Sequence, residues 1–199
     1  MSLSALVPCF GQQRIFYRAD LTAAQAGSSS NAVGEAILCL DLTIPELAID
    51  IQLDGLPTSD VTACHIRLGL TGANGPRIFG LVNPQDDVND FVDLGDGYES
   101  IWGPGDNGPL LVGQIAALET ERLHFLLFTD AFPAGELRGQ IEPVLLGDIN
   151  RDGSTNLLDI APFVALAISG DYRVEGDLDK NGIVDLLDIM PFVALVLDS

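Results

Sequence analysis

One acidic loop occurs twice near the C-terminus of this chain, and that repetition limits its architecture more than any other feature. The first copy runs Asp148-Ile149-Asn150-Arg151-Asp152-Gly153-Ser154-Thr155-Asn156-Leu157-Leu158-Asp159. The second, 29 residues later, runs Asp177-Leu178-Asp179-Lys180-Asn181-Gly182-Ile183-Val184-Asp185-Leu186-Leu187-Asp188. Both place oxygen-bearing side chains at loop positions 1, 3, 5, 9 and 12, with Gly at position 6. A calcium ion needs that spacing from a loop of this length, because it gathers hard oxygen donors around a sharp turn that Gly permits. Two matches in one register mark a repeated structural unit.

The 199 residues include 29 acidic and 9 basic side chains, a formal charge of −20. Such a surface repels nucleic-acid phosphates and anionic lipid, so neither is expected as a partner. It reads either as a solubilising surface or as cation-binding charge, and spacing favours cations in the C-terminal part. A hydrophobic content of 47% excludes a disordered chain. No apolar run reaches the roughly 18 residues needed to span a membrane. The stretch Met1–Phe10 lacks a basic leader region and makes a poor signal peptide. Leu6-Val7-Pro8-Cys9 faintly resembles a lipoprotein cleavage box, but Pro8 stands where a small residue is wanted. Three cysteines, Cys9, Cys39 and Cys64, contain no CxxC pair, which removes zinc and redox motifs. One disulfide, such as Cys39 with Cys64, and buried free thiols are the two readings.

Patterning changes near residue 145. Before it the signals are strand-like: Arg14–Asp20, Ala36–Leu42, Leu47–Leu53, Thr62–Leu68, Arg77–Val82, Leu123–Thr129 and Glu136–Glu142. The clearest alternation puts Leu47, Ile49, Ile51 and Leu53 on one face and Asp50 and Gln52 on the other. One short helix is expected at Gln114–Arg122, with long loops at Asn83–Glu99 and Gly103–Gly108. Many short strands separated by Gly, Pro, Asn and Asp predict an antiparallel β-sandwich. After it, each acidic loop runs into a helical segment, Ile160–Ile168 and Ile189–Leu197. Asn156 and Asp185 are placed to cap these helices, with Asp159 and Asp188 three residues on. Pro162 and Pro191 fit only a first helical turn. The expected fold is mainly β, a sandwich over residues 14–143, followed at 146–199 by a small α module of two calcium loop–helix (F-hand) repeats.

About half of the aligned repeat positions are identical, and both copies close on Pro-Phe-Val-Ala-Leu. No helix-forming segment precedes the first loop, so this is not a full EF-hand pair. The arrangement from Gly147 to about Leu197 resembles the dockerin module, which attaches secreted proteins to cohesin modules. The resemblance implies two calcium ions. Asp148, Asn150, Asp152 and Asp159 would hold one, with the Ser154 carbonyl and Asn156 completing it. Asp177, Asp179, Asn181 and Asp188 would hold the other, with the Ile183 carbonyl and Asp185. Position 12 carries Asp rather than the Glu of calcium sensors, which fits the dockerin pattern and implies weaker binding. The competing reading is a pair of Asx-rich turns that cap helices without metal. Crowding so many carboxylates without a cation would cost several kcal/mol, so metal binding is expected to be coupled to folding. Leu157-Leu158 and Leu186-Leu187 occupy the partner-selecting positions of dockerins. They read as a hydrophobic docking face or as the module's own core, and core is expected for at least one of each pair, since so small a module has little else to bury.

A second resemblance lies upstream. Ala63-Cys64-His65-Ile66-Arg67-Leu68-Gly69-Leu70-Thr71-Gly72-Ala73-Asn74-Gly75-Pro76 and Phe128-Thr129-Asp130-Ala131-Phe132-Pro133-Ala134-Gly135-Glu136-Leu137-Arg138-Gly139-Gln140-Ile141 are similar to the two signatures of the CHRD domain, first described in chordin. Tyr17–Gln25 suits its first strand. The resemblance implies an extracellular β-sandwich with a binding role. Members often carry His-x-His in the first motif and a His before the Thr of the second. Here those places read His65, Arg67 and Phe128, so a copper or zinc centre is not expected. His124 reads as a strand residue. Glu136 and Arg138, two apart on one strand, are expected to pair. The Asp86–Asp96 stretch reads as a solvated loop, with an additional cation site as its alternative. Trp102 is alone in a Gly-Pro loop, without the aromatic cleft of a glycoside hydrolase, and Ser28–Ser30 lacks nucleophile-elbow glycines.

Together these readings predict a secreted or cell-surface, non-enzymatic protein. Its calcium-dependent dockerin-like module would attach a CHRD-like sandwich to a protein partner of cohesin type. The alternative is a carbohydrate-binding or hydrolytic component of a polysaccharide-degrading assembly, with polysaccharide as the further partner.

Overall fold

Leu47, Ile49, Ile51 and Leu53 do share one buried face of a strand, and they anchor the core of the larger of two units. The computed structural model describes residues 14–82, 87 and 91–198, and the chain divides between Pro143 and Val144. Among the described residues the N-terminal unit holds ten strands: β1 (Arg14–Thr22), β2 (Val33–Asp41), β3 (Glu46–Asp54), β4 (Val61–Leu68), β5 (Arg77–Gly80), β6 (Val92–Asp93), β7 (Gly97–Trp102), β8 (Leu123–Thr129), β9 (Leu137–Gln140) and β10 (Glu142–Pro143). Two short helices, α1 (Ala23–Ala26) and α2 (Val112–Glu119), join them. Helix α2 covers most of the expected Gln114–Arg122 segment. Strand β7 forms partly inside a segment expected to be loop: its short alternation, Tyr98 and Trp102 inward against Glu99 and Ile101, lies between glycines that read as turns.

All strand pairs are antiparallel, and the mainly β expectation stands. The sandwich-like arrangement takes the form of one curled sheet rather than two separate layers. Among the described residues there is one sheet in the order β5-β4-β8-β9-β1-β2-β3-β7-β6, with β10 beside β1. Right-handed twist accumulates over so many strands, and the sheet curls until its concave face closes on itself. Phe79 of β5 stacks on Trp102 of β7, ring centroids 4.4 Å apart, although their strands lie towards opposite ends of the sheet. The Tyr98 hydroxyl of β7 donates to the Thr58 carbonyl ahead of β4 across the same seam, at 3.0 Å. Burial of Tyr17, Leu21, Leu38, Leu40, Phe79, Phe125 and Trp102 on this face supplies the main driving force.

Of the two cysteine readings, a Cys39–Cys64 disulfide is not formed, and the buried thiol holds for Cys64. Cys64 is a core thiol outside any disulfide, on the concave face of β4. Cys39 is disulfide-bonded but belongs to the opposite face of β2, because an odd position in the alternation points away from Leu38 and Leu40. The remaining cysteine, Cys9, lies outside the described residues, as do the leader and lipoprotein readings of the first ten residues and most of the Asp86–Asp96 stretch up to Asp90.

The C-terminal unit is two loop–helix repeats. Helix α3 (Ile160–Ser169) follows the first acidic loop and α4 (Ile189–Asp198) the second. Phe163 and Phe192, equivalent residues of the two repeats, stack almost in parallel at 4.1 Å. Ile149, Leu166, Val184 and Val196 complete the small core. Pro162 and Pro191 sit in first turns, where a missing N–H costs nothing. Among the described residues no helix is long and apolar enough to cross a membrane.

Candidate metal centre

The two acidic loops share most of one hydrogen-bonded frame. The position-1 carboxylate accepts from the backbone N–H groups of positions 5 and 6. Asp148 takes Asp152 and Gly153 at 3.0 and 2.9 Å, and Asp177 takes Asn181 and Gly182 at 2.9 Å each. The position-12 carboxylate reaches back across the loop. Asp159 accepts from Asn150 at 3.0 Å and Asn156 at 2.9 Å, and Asp188 from Asp179 at 3.0 Å and Asp185 at 2.9 Å. Position 5 accepts from position 7, so that Ser154 N–H donates to Asp152 and Ile183 N–H to Asn181. Position 9 caps the helical turn, Asn156 on Leu158 and Asp185 on Leu187.

The backbone repeats as well. Position 6 is left-handed in both loops, Gly153 at φ 88° and Gly182 at φ 90°, where glycine has no Cβ penalty. Position 4 is also left-handed, Arg151 at φ 59° and Lys180 at φ 61°. Non-glycine residues there cost about 1–3 kcal/mol, and both loops bear that strain to turn their side chains inward.

These frames turn the carboxylates of positions 1 and 12 onto the backbone of each loop. In the second loop, ligand atoms of Asp177, Asp179 and Asp188 lie within 4.8 Å of one another. Among the described residues no other three acidic, histidine or cysteine groups come as close. Positions 3 and 9 are Asn150 and Asn156 in the first loop but Asp179 and Asp185 in the second, while position 5 is Asp152 against Asn181, so the first loop carries one carboxylate fewer. Asp177 and Asp188 are buried, as are Asp148 and Asp159, while positions 3 and 5 face solvent. Burial raises the Asp177 carboxyl above the usual range, opposed by the N–H groups of Gly182 and Asn181 and the Tyr172 hydroxyl, and reinforced by Asp188. Tyr172 donates to Asp177 at 3.2 Å, and its own hydroxyl is raised by burial and by that carboxylate.

The leucines at positions 10 and 11 correct the expectation of core. Leu157, Leu158, Leu186 and Leu187 are 70, 68, 77 and 65% exposed. Positions 2 and 8 fill the core instead, through Ile149 and Val184, because they point inward where the loop crosses between the helices. Ile160, Val164 and Ile168 continue the exposed apolar line along α3, and Ile189, Val193 and Leu197 continue it along α4 at equivalent positions. Spacing by four residues keeps each line on one side of its helix.

In the N-terminal unit the second signature and part of the first meet on the convex face of β4, β8 and β9. His65 lies against Phe128, ring centroids 5.0 Å apart, and Arg67 is paired across strands with His124. His124 is a fully buried strand residue whose ring is held neutral, its pKa lowered to about 4 by burial and by the neighbouring Arg138 charge. Glu136 and Arg138 do not pair. Glu136 accepts from the hydroxyls of Ser30, at 2.7 Å, and Thr129, at 2.5 Å. Buried Arg138 instead donates to Gln140 at 2.8 Å, to the Leu70 and Ala73 carbonyls at 3.2 and 3.4 Å, and to Gln25 at 3.4 Å. The turn at Gly135 separates the two side chains, since Glu136 precedes β9 rather than belonging to it.

Asp50 is a further group whose burial alternation alone does not reveal. It stands on the convex face as expected, yet it is buried and neither carboxyl oxygen has a partner. Burial, with Glu99 and Glu35 nearby, pushes its pKa up to about 7.

Residues 17–141 match the family model of the CHRD domain. No curated protein and no solved structure matches the chain.

Proposed function

The chain belongs to the CHRD domain family, and from that premise we propose that it is a secreted, non-catalytic attachment protein whose C-terminal module is dockerin-like and calcium-dependent. The observation that supports this reading is the repetition of the main loop bonds in both copies, down to strained left-handed backbone at position 4 of each. Helix caps alone do not call for carboxylates at positions 1 and 12 turned towards the same interior. The donor set fits a hard divalent cation, which takes six to eight oxygens. Asp148, Asn150, Asp152, the Ser154 carbonyl, Asn156 and Asp159 hold one calcium ion. Asp177, Asp179, Asn181, the Ile183 carbonyl, Asp185 and Asp188 hold the second. The bound ions neutralise carboxylates that otherwise repel one another, and so stabilise the module's fold.

Partner binding then falls to the apolar lines that start at Leu157-Leu158 and Leu186-Leu187. Exposed contiguous apolar surface of this kind marks a protein-binding face. A cohesin-like β-rich module is the partner of matching type. The CHRD sheet is the cargo so attached.

The test is capture of the full chain on a panel of immobilised cohesin modules, with calcium and with EDTA. Calcium-dependent capture supports the reading, and failure to bind any module under either condition overturns the partner assignment. Turnover of a polysaccharide in a hydrolase panel would overturn the non-catalytic reading.

A further inference from the structure

The linker between the two loops is wired to both of them. Glu175 lies two residues before the first ligand of the second loop, in the 3-10 turn Val174–Gly176. Its backbone carbonyl accepts from Gly147 N–H at 2.8 Å, next to the first ligand of the first loop. Its carboxylate, almost wholly buried, accepts from Arg151 Nε at 2.7 Å. Arg151 is the strained position-4 residue of the first loop. Arg173, on the same linker, donates to the Ile149 carbonyl at position 2 of the first loop, at 2.9 Å, and flanks Glu175 at 3.6 Å. Tyr172 reaches the other way, to Asp177 of the second loop. Residues 172–176 therefore bond to both loops.

Resting on the calcium reading above, we propose that the two sites are energetically coupled through the Arg151–Glu175 pair, with the second loop filling first and raising the affinity of the first. Two observations set the order. The second loop has four carboxylates among its side-chain ligands against three in the first, and only in the second are three of them already gathered within 4.8 Å. An ion on Asp177 fixes the linker, and the fixed linker holds Gly147, Ile149 and Arg151 in place. The first loop then binds without bearing that ordering cost again. Linkage makes the effect reciprocal. A coupling of about tenfold is expected, within the range of roughly 5- to 150-fold usual for such coupling.

The test is calorimetric calcium titration of the full chain, stripped with EDTA and dialysed. Wild type should bind two ions with positive cooperativity. Asp188→Ala should weaken the remaining first site about tenfold, and Asp159→Ala should weaken the second by the same factor. Glu175→Gln and Arg151→Gln, alone or together, should still bind two ions but as independent sites. The double variant should show no loss of coupling beyond either single one. Far-ultraviolet circular dichroism of the calcium-loaded variants checks that α3 and α4 form. Two ions bound independently by wild type, or undiminished coupling in both single variants, overturns the coupling and leaves the calcium reading standing. Absence of any calcium heat in wild type overturns both.

Discussion

Phe79 and Trp102 stack face to face at 4.4 Å, although one belongs to the strand that begins the sheet order and the other to a strand next to its far end. Their contact closes the curl of the N-terminal sheet and converts a long antiparallel ribbon into a core with one interior. Trp102 also donates through its indole N–H to the Gly108 carbonyl, at 2.6 Å, which fixes the ring's orientation.

Phe79→Ala should therefore destabilise the N-terminal unit by about 3–5 kcal/mol, as for other fully buried aromatics. The chain has one tryptophan, so urea unfolding followed by Trp102 fluorescence reports on this seam directly. A loss under about 1 kcal/mol would mean that the stack does not hold the curl.

The buried Asp50 carboxyl gives the unit a pH dependence of known sign. Its folded pKa of about 7 lies above the usual 3.8. A raised carboxyl contributes full stability below the unfolded value and loses it as pH rises through the folded one. Wild type should lose stability between about pH 4 and pH 7, by up to roughly 4 kcal/mol from this group. Asp50→Asn should match wild type near pH 4 and exceed it at pH 8. Parallel pH–stability curves for the two proteins would refute the assignment.

Arg138 acts as an anchor for the turn that carries Leu70 and Ala73, since both carbonyls accept from its guanidinium. Arg138→Lys should cost about 2–4 kcal/mol, because one ammonium cannot span acceptors that a planar fork reaches together. Amide exchange should quicken around Ala73. Wild-type stability in the Lys variant would remove the anchoring role.

The two faces of the C-terminal helices should separate folding from binding. Leu158→Asp with Leu187→Asp should change stability by no more than about 0.5 kcal/mol, as expected for exposed sites, while abolishing partner capture. Phe163→Ala should instead cost about 3–5 kcal/mol, by opening the stack on Phe192. A large thermal shift in the double Asp variant would place the leucines in a core after all.

Removing calcium should unfold one unit and spare the other. With calcium at a hundred times its dissociation constant, each site adds about 2.7 kcal/mol. Scanning calorimetry with EDTA should lower the transition of residues 144–198 and leave the one reported by Trp102 unmoved. An identical pair of transitions with and without EDTA would rule out the metal-coupled fold.

Much of this organisation is legible in the chain itself. Alternation at Leu47–Leu53 marks β3, since a strand turns successive side chains to opposite faces whatever surrounds it. Asn156 with Asp159, and Asp185 with Asp188, mark the capped turns that lead into α3 and α4, since capping is a matter of bonds between near neighbours. The duplicated loop frame is legible for the same reason, because every bond in it spans at most ten residues.

What the sequence determined by itself is thus the local layer: strand faces, helix starts, loop turns and the break after Pro143. Tertiary structure alone decided that the β unit is one curled sheet rather than two, that Cys64 stays a core thiol while Cys39 is bonded, and that Glu136 and Arg138 part. It also decided that Asp50 is buried and that all four leucines face outward. Each of these depends on groups far apart in the chain competing for a single interior. Periodicity says which side of an element is apolar, but not which of two apolar surfaces gains a neighbour and which is left to water.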